Sequence, residues 1–229
     1  MSDSLKKKVE AFVQTWDQHY GKPERPAVTP QPSSADAAAV TAVAAKNAQV
    51  VAAAALGLHG PPVEGIEAAR RLMQHFVDWN EVRVARPQTL VGVLGKQPRA
   101  TERVALLHRF LETFFLKRRK LDLDFLLKPE TKPPELRRFL TELQVFDREE
   151  LAAVLLDAFR QRFFPPADPL RDVAEQTGLV PRKTTTLQMA KRFELGLDEG
   201  LLYCLYSHLY ALANDSDREK LLAAYKKKK

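Results

Sequence analysis

The chain holds a single cysteine, Cys204. That excludes an internal disulfide and any metal or iron–sulfur site built from several thiolates, and it suits a reducing compartment. Nine glycines are few for 229 residues, and no stretch alternates apolar and polar with the period of two that a half-buried strand needs. No glycine-rich nucleotide loop, Gly-x-Ser-x-Gly elbow or His-Glu-x-x-His pair occurs, which removes the nucleotide-loop, α/β-hydrolase and zincin classes. The start, MSDSLKKKVEAF, lacks the apolar core of a signal peptide. The stretch nearest to a membrane span, Ala35 to Leu56, is mostly alanine and carries Asp36, Lys46, Asn47 and Gln49; central polar residues cost several kcal/mol on insertion scales.

Cations, in contrast, are in surplus. Thirty-six Lys+Arg against 29 Asp+Glu give a net charge of +7, which favours polyanionic partners without dictating a fold. Residues 99–120 carry seven basic and two acidic side chains and end in Lys117-Arg118-Arg119-Lys120. Arg182, Lys183, Lys191 and Arg192 form a second cluster. Either group is a candidate to neutralise phosphates with salt-sensitive affinity, and either also reads as the solvated face of a helix. Lys226 to Lys229 read as a solvated tail.

Apolar spacing predicts helices. Leu5, Val9, Phe12, Val13 and Trp16 share a stripe over residues 4–20, with Gly21 as a stop. Residues 23–62 form a linker or insertion: Pro23, Pro26, Pro30 and Pro32 hold it extended, and Ser34 caps an Ala-rich helix ending near Gly57. The domain runs over 63–225, before a Lys tail at 226–229. Val104, Leu107, Leu111, Phe114 and Phe115 mark one helix. Leu151, Val154, Leu155, Ala158, Phe159 and Phe163 mark another, and Leu201, Leu202, Leu205, Leu209 and Leu212 a third. Pro129, Pro133 and Pro134 read as one loop, Pro165 and Pro166 as a second. The expected fold class is all-α. Cys204 sits in an apolar helical stretch and is expected buried and inert. His75, His108 and His208 stand without ligand-spaced partners and read as core or interface residues, so no metal is expected.

Several segments carry a family likeness. LQVFDREELAAVLLDAF, residues 143–159, is similar in length and apolar pattern to the hairpin and following helix of endonuclease III-type DNA glycosylases, the HhH-GPD superfamily. PADPLRDVAEQTGLV (166–180) occupies the place of that family's aspartate-bearing segment. FVQTWDQHYGKPERP (12–26) resembles its opening helix, and HFVDWNEVRVARPQTL (75–90) its first barrel helix and turn. The resemblance covers 1–22 and 63–215 and implies a two-lobed helical fold, with the N-terminal helix packed on the domain and the Ala-rich piece as an insertion.

The departures shape the functional expectation. In the family, hairpin glycines bring backbone N–H groups to a DNA phosphate, and a lysine attacks the sugar to form a Schiff base. Here the glycine positions hold Val145 and Asp147, and the lysine position holds Glu149. Asp147 with Glu150 reads instead as a helix cap, which sets carboxylates where a phosphate would sit. The family's catalytic aspartate falls within one residue of Asp168, which also reads as a cap for the next helix. The cysteines that hold an iron–sulfur cluster in relatives are missing, so no cofactor is expected. Trp79 stands near the position of a residue that wedges into the duplex in relatives; it reads either as a wedge that stacks on a base or as core.

The resemblance therefore implies a DNA-repair superfamily protein that binds DNA non-specifically through basic faces (Lys117 to Lys120, Arg182, Lys183) with lyase chemistry lost. A glycosylase using Asp168 alone, and a non-catalytic scaffold whose Ala-rich arm contacts a protein partner, are the alternatives. The expected location is cytoplasmic, with the nucleoid if DNA is bound, and no membrane partner is expected.

Overall fold

A computed structural model describes residues 2–23, 62–96, 99–121 and 132–227. The Ala-rich stretch, the linker prolines from Pro26 to Pro32, Pro129 and the last two lysines lie outside the described residues. Among those described, all regular structure is helical. The helices are α1 (Ser2–Tyr20), α2 (Pro62–His75), α3 (Trp79–Val84), α4 (Pro87–Leu94), α5 (Ala100–Arg118), α6 (Pro133–Glu142), α7 (Arg148–Asp157), α8 (Asp168–Gln176), α9 (Thr186–Gly196), α10 (Glu199–Asn214) and α11 (Arg218–Lys227). They divide into two compact units. One joins residues 1–24, 148–156 and 160–229; the other holds 25–147 and 157–159.

In the first unit, α1 packs on α9 and α10, and α8 packs on both of those as well. The predicted stripe of α1 is the buried one: Leu5, Val9, Phe12, Val13 and Trp16 are all inside. At about 1.5–3 kcal/mol for each large apolar side chain taken from water, this face holds the helix to its partners. Gly21 ends α1 in the left-handed region at φ 81, where its N–H donates to the Asp17 carbonyl at 3.0 Å, and glycine alone enters that region without steric penalty. Opposite this stripe, α10 contributes Leu202, Leu205, Leu209 and Leu212, and α8 contributes Leu170, Val173 and Ala174. Aromatic rings pair within the core. Phe12 meets Tyr225 edge-on at 6.0 Å and Phe164 meets Phe193 at 5.0 Å, geometries the ring quadrupole favours.

Two hydrogen bonds tie the start of the chain to its end within this unit. His208, 1% exposed, shares a 2.7 Å bond between Nε2 and the Asp17 carboxylate. Tyr20 donates its hydroxyl to Asp215 at 2.7 Å. Burial lowers the His208 pKa while the Asp17 hydrogen bond and charge pull it up. Burial, then the bond to Asp215, raises that of Tyr20. The same bond lowers that of Asp215.

The second unit is built from neighbours in sequence: α4 packs on α2 and α5, and α3 on α5. Helix α5 is its spine, with Val104, Leu107, Phe110, Leu111 and Phe114 buried. From α2 and α4 come Ala68, Ala69, Leu72, Leu90 and Leu94. Arg103 lies wholly inside. Arg83 stacks 4.0 Å above the Phe115 ring and pairs with Glu112 at 2.7 Å, so its cation is held on two sides.

Several sequence expectations are corrected by these elements. The helix expected to reach Phe163 stops at Asp157. Arg160 adopts φ 51, a left-handed residue that takes the chain out of the helix, and the Gln161 N–H returns to the Leu155 carbonyl, six residues back, at 2.8 Å. Beyond the helix end, Phe159 is still buried and Phe163 half-buried, so apolar residues continue in sequence without a helix to hold them. Pro133 and Pro134 do not mark a loop; they occupy the first positions of α6, where an N–H has no intrahelical partner and proline loses nothing. Cys204 is half-buried rather than buried. His75 is exposed in the last turn of α2.

Candidate functional site

The basic run Lys117-Arg118-Arg119-Lys120 closes α5, where cations complement the negative end of the helix dipole. All four residues are exposed, and Arg119 caps the helix in the left-handed region at φ 60. Lys117 is not aimed at solvent alone: its ammonium pairs with Glu142 at 2.8 Å and lies 5.4 Å from the Phe139 ring centre. That hydrogen bond holds the Glu142 carboxyl below its ordinary range. Lys117 is thus engaged inside the unit, and Arg118, Arg119 and Lys120 follow it as exposed side chains.

Between α6 and α7 the chain passes through residues 143–147. Leu143 is buried, Gln144 takes φ 53 and Val145 is buried at 3% exposure. The Val145 carbonyl accepts a hydrogen bond from the Arg109 guanidinium. The backbone at Val145 is thus covered by its own buried side chain and engaged internally. Asp147 stands immediately before the first residue of α7, at the capping position, and Glu149 and Glu150 follow in its first turn. Asp147 and Glu149 are both exposed. Negative charge at a helix start is favourable for the helix and opposes a phosphate in the same place.

Asp168 opens α8, but it does not cap it: the capping position is Ala167, which makes no side-chain bond to the first turn. Instead the Asp168 carboxylate pairs with Arg171 at 2.7 Å while 72% exposed. Arg171 also bonds Asp172, and these carboxylates, Asp172 first, raise its pKa. The cap expectation fails because the helix already begins at Asp168, so its side chain lies within the first turn and reaches the residue three ahead. Arg182 and Lys183 occupy an exposed turn before α9, with Lys183 at φ 65. The start of α9 is already satisfied by a reciprocal cap: Thr185 accepts from the Gln188 N–H, and the Gln188 side chain accepts from that of Thr185.

Trp79 is 5% exposed at the start of α3. This is the core place among the two readings, since a ring inside the unit presents no face to a base.

One feature was not legible from any motif. Along α4 and α5 runs a groove of about 620 Å³. Its wall is formed by Val91, Val104 and Ala105, and its polar edge by His108, Arg109 and Glu112. On α5 these positions recur at helical spacing, one ridge round from the buried Leu107, Phe110, Leu111 and Phe114. The signal available in the sequence was that ridge: an Ala, a His and a Thr placed where a fully solvated face would be charged. His108, read from the sequence as a core or interface residue, is half-buried on the groove's edge. Among the described residues no group of His, Cys, Asp and Glu is arranged to hold a metal ion, and no helix is long and apolar enough to cross a membrane. Compared with protein families and with curated proteins, the chain matches none.

Proposed function

We propose that this protein is a non-lytic, DNA-binding helical protein related to the endonuclease III-like helix-hairpin-helix superfamily. The observation that carries the reading is the start of α7. Where a lysine would have to attack the sugar stands exposed Glu149, between Asp147 at the capping position and Glu150. A carboxylate cannot form a Schiff base, and three acids at one helix start repel the phosphate that a working hairpin clasps. Binding then rests on the exposed cations of Arg118, Arg119 and Lys120 and of Arg182 and Lys183, acting through the phosphate backbone without base readout. The division of the helices into two units, with α1 among the C-terminal helices, supports a two-lobed arrangement.

The test is an anisotropy titration on duplex DNA with and without a stable abasic-site analogue, at low and moderate salt. Equal, salt-labile binding to both duplexes, weakened when Arg118, Arg119 and Lys120 become alanine, is the expected result. Absence of binding at low salt would move the protein to a protein-interaction role. Borohydride trapping on abasic DNA should give no covalent adduct. A glycosylase that uses Asp168 is the competing reading. It gains no support from the carboxylate's pairing with Arg171, and equal base release by the wild type and Asp168→Asn would remove it.

A further inference from the structure

We propose that the groove between α4 and α5 binds a small amphipathic anion: an apolar tail along Val91, Val104 and Ala105, and an acidic headgroup on Arg109 and His108. Three observations argue for that chemistry. The volume, about 620 Å³, lies within the range of small-molecule sites, which are mostly apolar with few polar groups that fix orientation. The groove's one carboxylate does not set its charge, because Glu112 is paired with Arg83 at 2.7 Å and Arg83 is itself held over Phe115. Arg109 is positioned in advance. Its guanidinium donates to the Val145 carbonyl, which fixes the fork at the groove edge, and a guanidinium has five N–H donors of which this bond uses one. Such a fork matches a carboxylate, and the imidazole of His108, one residue before it, donates in either protonation state.

A cationic ligand meets no unpaired acid in the groove, and a neutral one leaves the guanidinium without its partner. The site belongs wholly to the second unit and uses none of the cations assigned to DNA, so it stands or falls separately from DNA binding.

Calorimetric titration of the full chain with decanoate, decanol and decyltrimethylammonium, each below its micelle concentration and without DNA, tests it. Decanoate should bind about tenfold more tightly than decanol, a difference of about 1.4 kcal/mol, and the cation more weakly than either. Arg109→Gln should bring decanoate down to the level of decanol. Val91→Trp, which fills the groove from a half-buried surface position, should abolish binding of all three; circular dichroism checks that both variants keep their helices. Amide shift changes in the unmodified protein should centre on residues 87–113. Equal affinity for the three probes, shifts confined to other residues, or undiminished binding by folded Val91→Trp would each overturn the assignment.

Discussion

The first unit is clasped by residues from opposite ends of the chain, whereas the second is assembled from neighbours. In the first, α1 is held to α10 by its apolar stripe, by His208 on Asp17 and by Tyr20 on Asp215, bonds that span 191 and 195 residues. In the second, Arg83 reaches Glu112, Lys117 reaches Glu142 and Arg109 reaches Val145, spans of 29, 25 and 36 residues. Closing a longer loop costs more chain entropy before any contact forms, and folds rich in distant contacts form more slowly. By that argument the second unit is expected to order before the first, in which α1 and α10 must meet across most of the chain.

The most damaging way to probe that difference is Phe12→Ala. It removes a fully buried ring and should cost about 3–5 kcal/mol in a denaturant titration. Hydrogen exchange should show α1 and α10 losing protection together while α5 keeps its own. Equal loss in α5 would break the comparison.

A fall in pH should come next. Burial lowers the His208 pKa below its ordinary 6.5, so just below that value the unfolded chain binds more protons than the native one. Stability then rises with pH in this window. The His208 contribution is complete above about pH 6.5 and is lost as the pH falls through 6.5 toward the lower native value. Thermal melts between pH 7.5 and pH 5 should show that slope, and His208→Gln should flatten it. An unchanged slope would remove His208 as its source.

Tyr20→Phe, which deletes one hydrogen bond from a half-buried ring, should cost about 1 kcal/mol and leave α5 protection untouched. Smallest of all should be Lys117→Ala. Its bond to Glu142 is an exposed ion pair of the kind that contributes little, so the melting temperature should stay within error. A marked loss would mean the second unit also depends on its polar ties.

Much of the helical framework was legible from spacing. The stripe from Leu5 to Trp16, the spine of α5 and the apolar face of α10 all appear where periodicity placed them, and Gly21 ends α1 as a glycine stop should. Failures came at helix ends, where one backbone residue decides. Nothing in the identity of Arg160 announces φ 51, and Pro133 reads the same in a loop as at a helix start. The site residues were legible as identities but not as partners. Glu149 and Asp147 could be placed at the start of a helix, yet the pairing of Asp168 with Arg171 competes with a cap that is equally local. The groove was hidden because its lining comes from two helices whose facing positions no single-helix pattern reveals.

The amino-acid order by itself determined the all-helical class among the described residues, the inward face of the long helices and the positive charge. Each depends on residues within a turn or two of one another, or on a simple sum. Tertiary structure alone decided that Trp79 is core, that His208 meets Asp17, that Arg109 donates to Val145 and that Glu112 is paired with Arg83. Those outcomes rest on packing between different segments of the chain, where small differences in burial and hydrogen-bond geometry choose among partners that local spacing leaves equivalent.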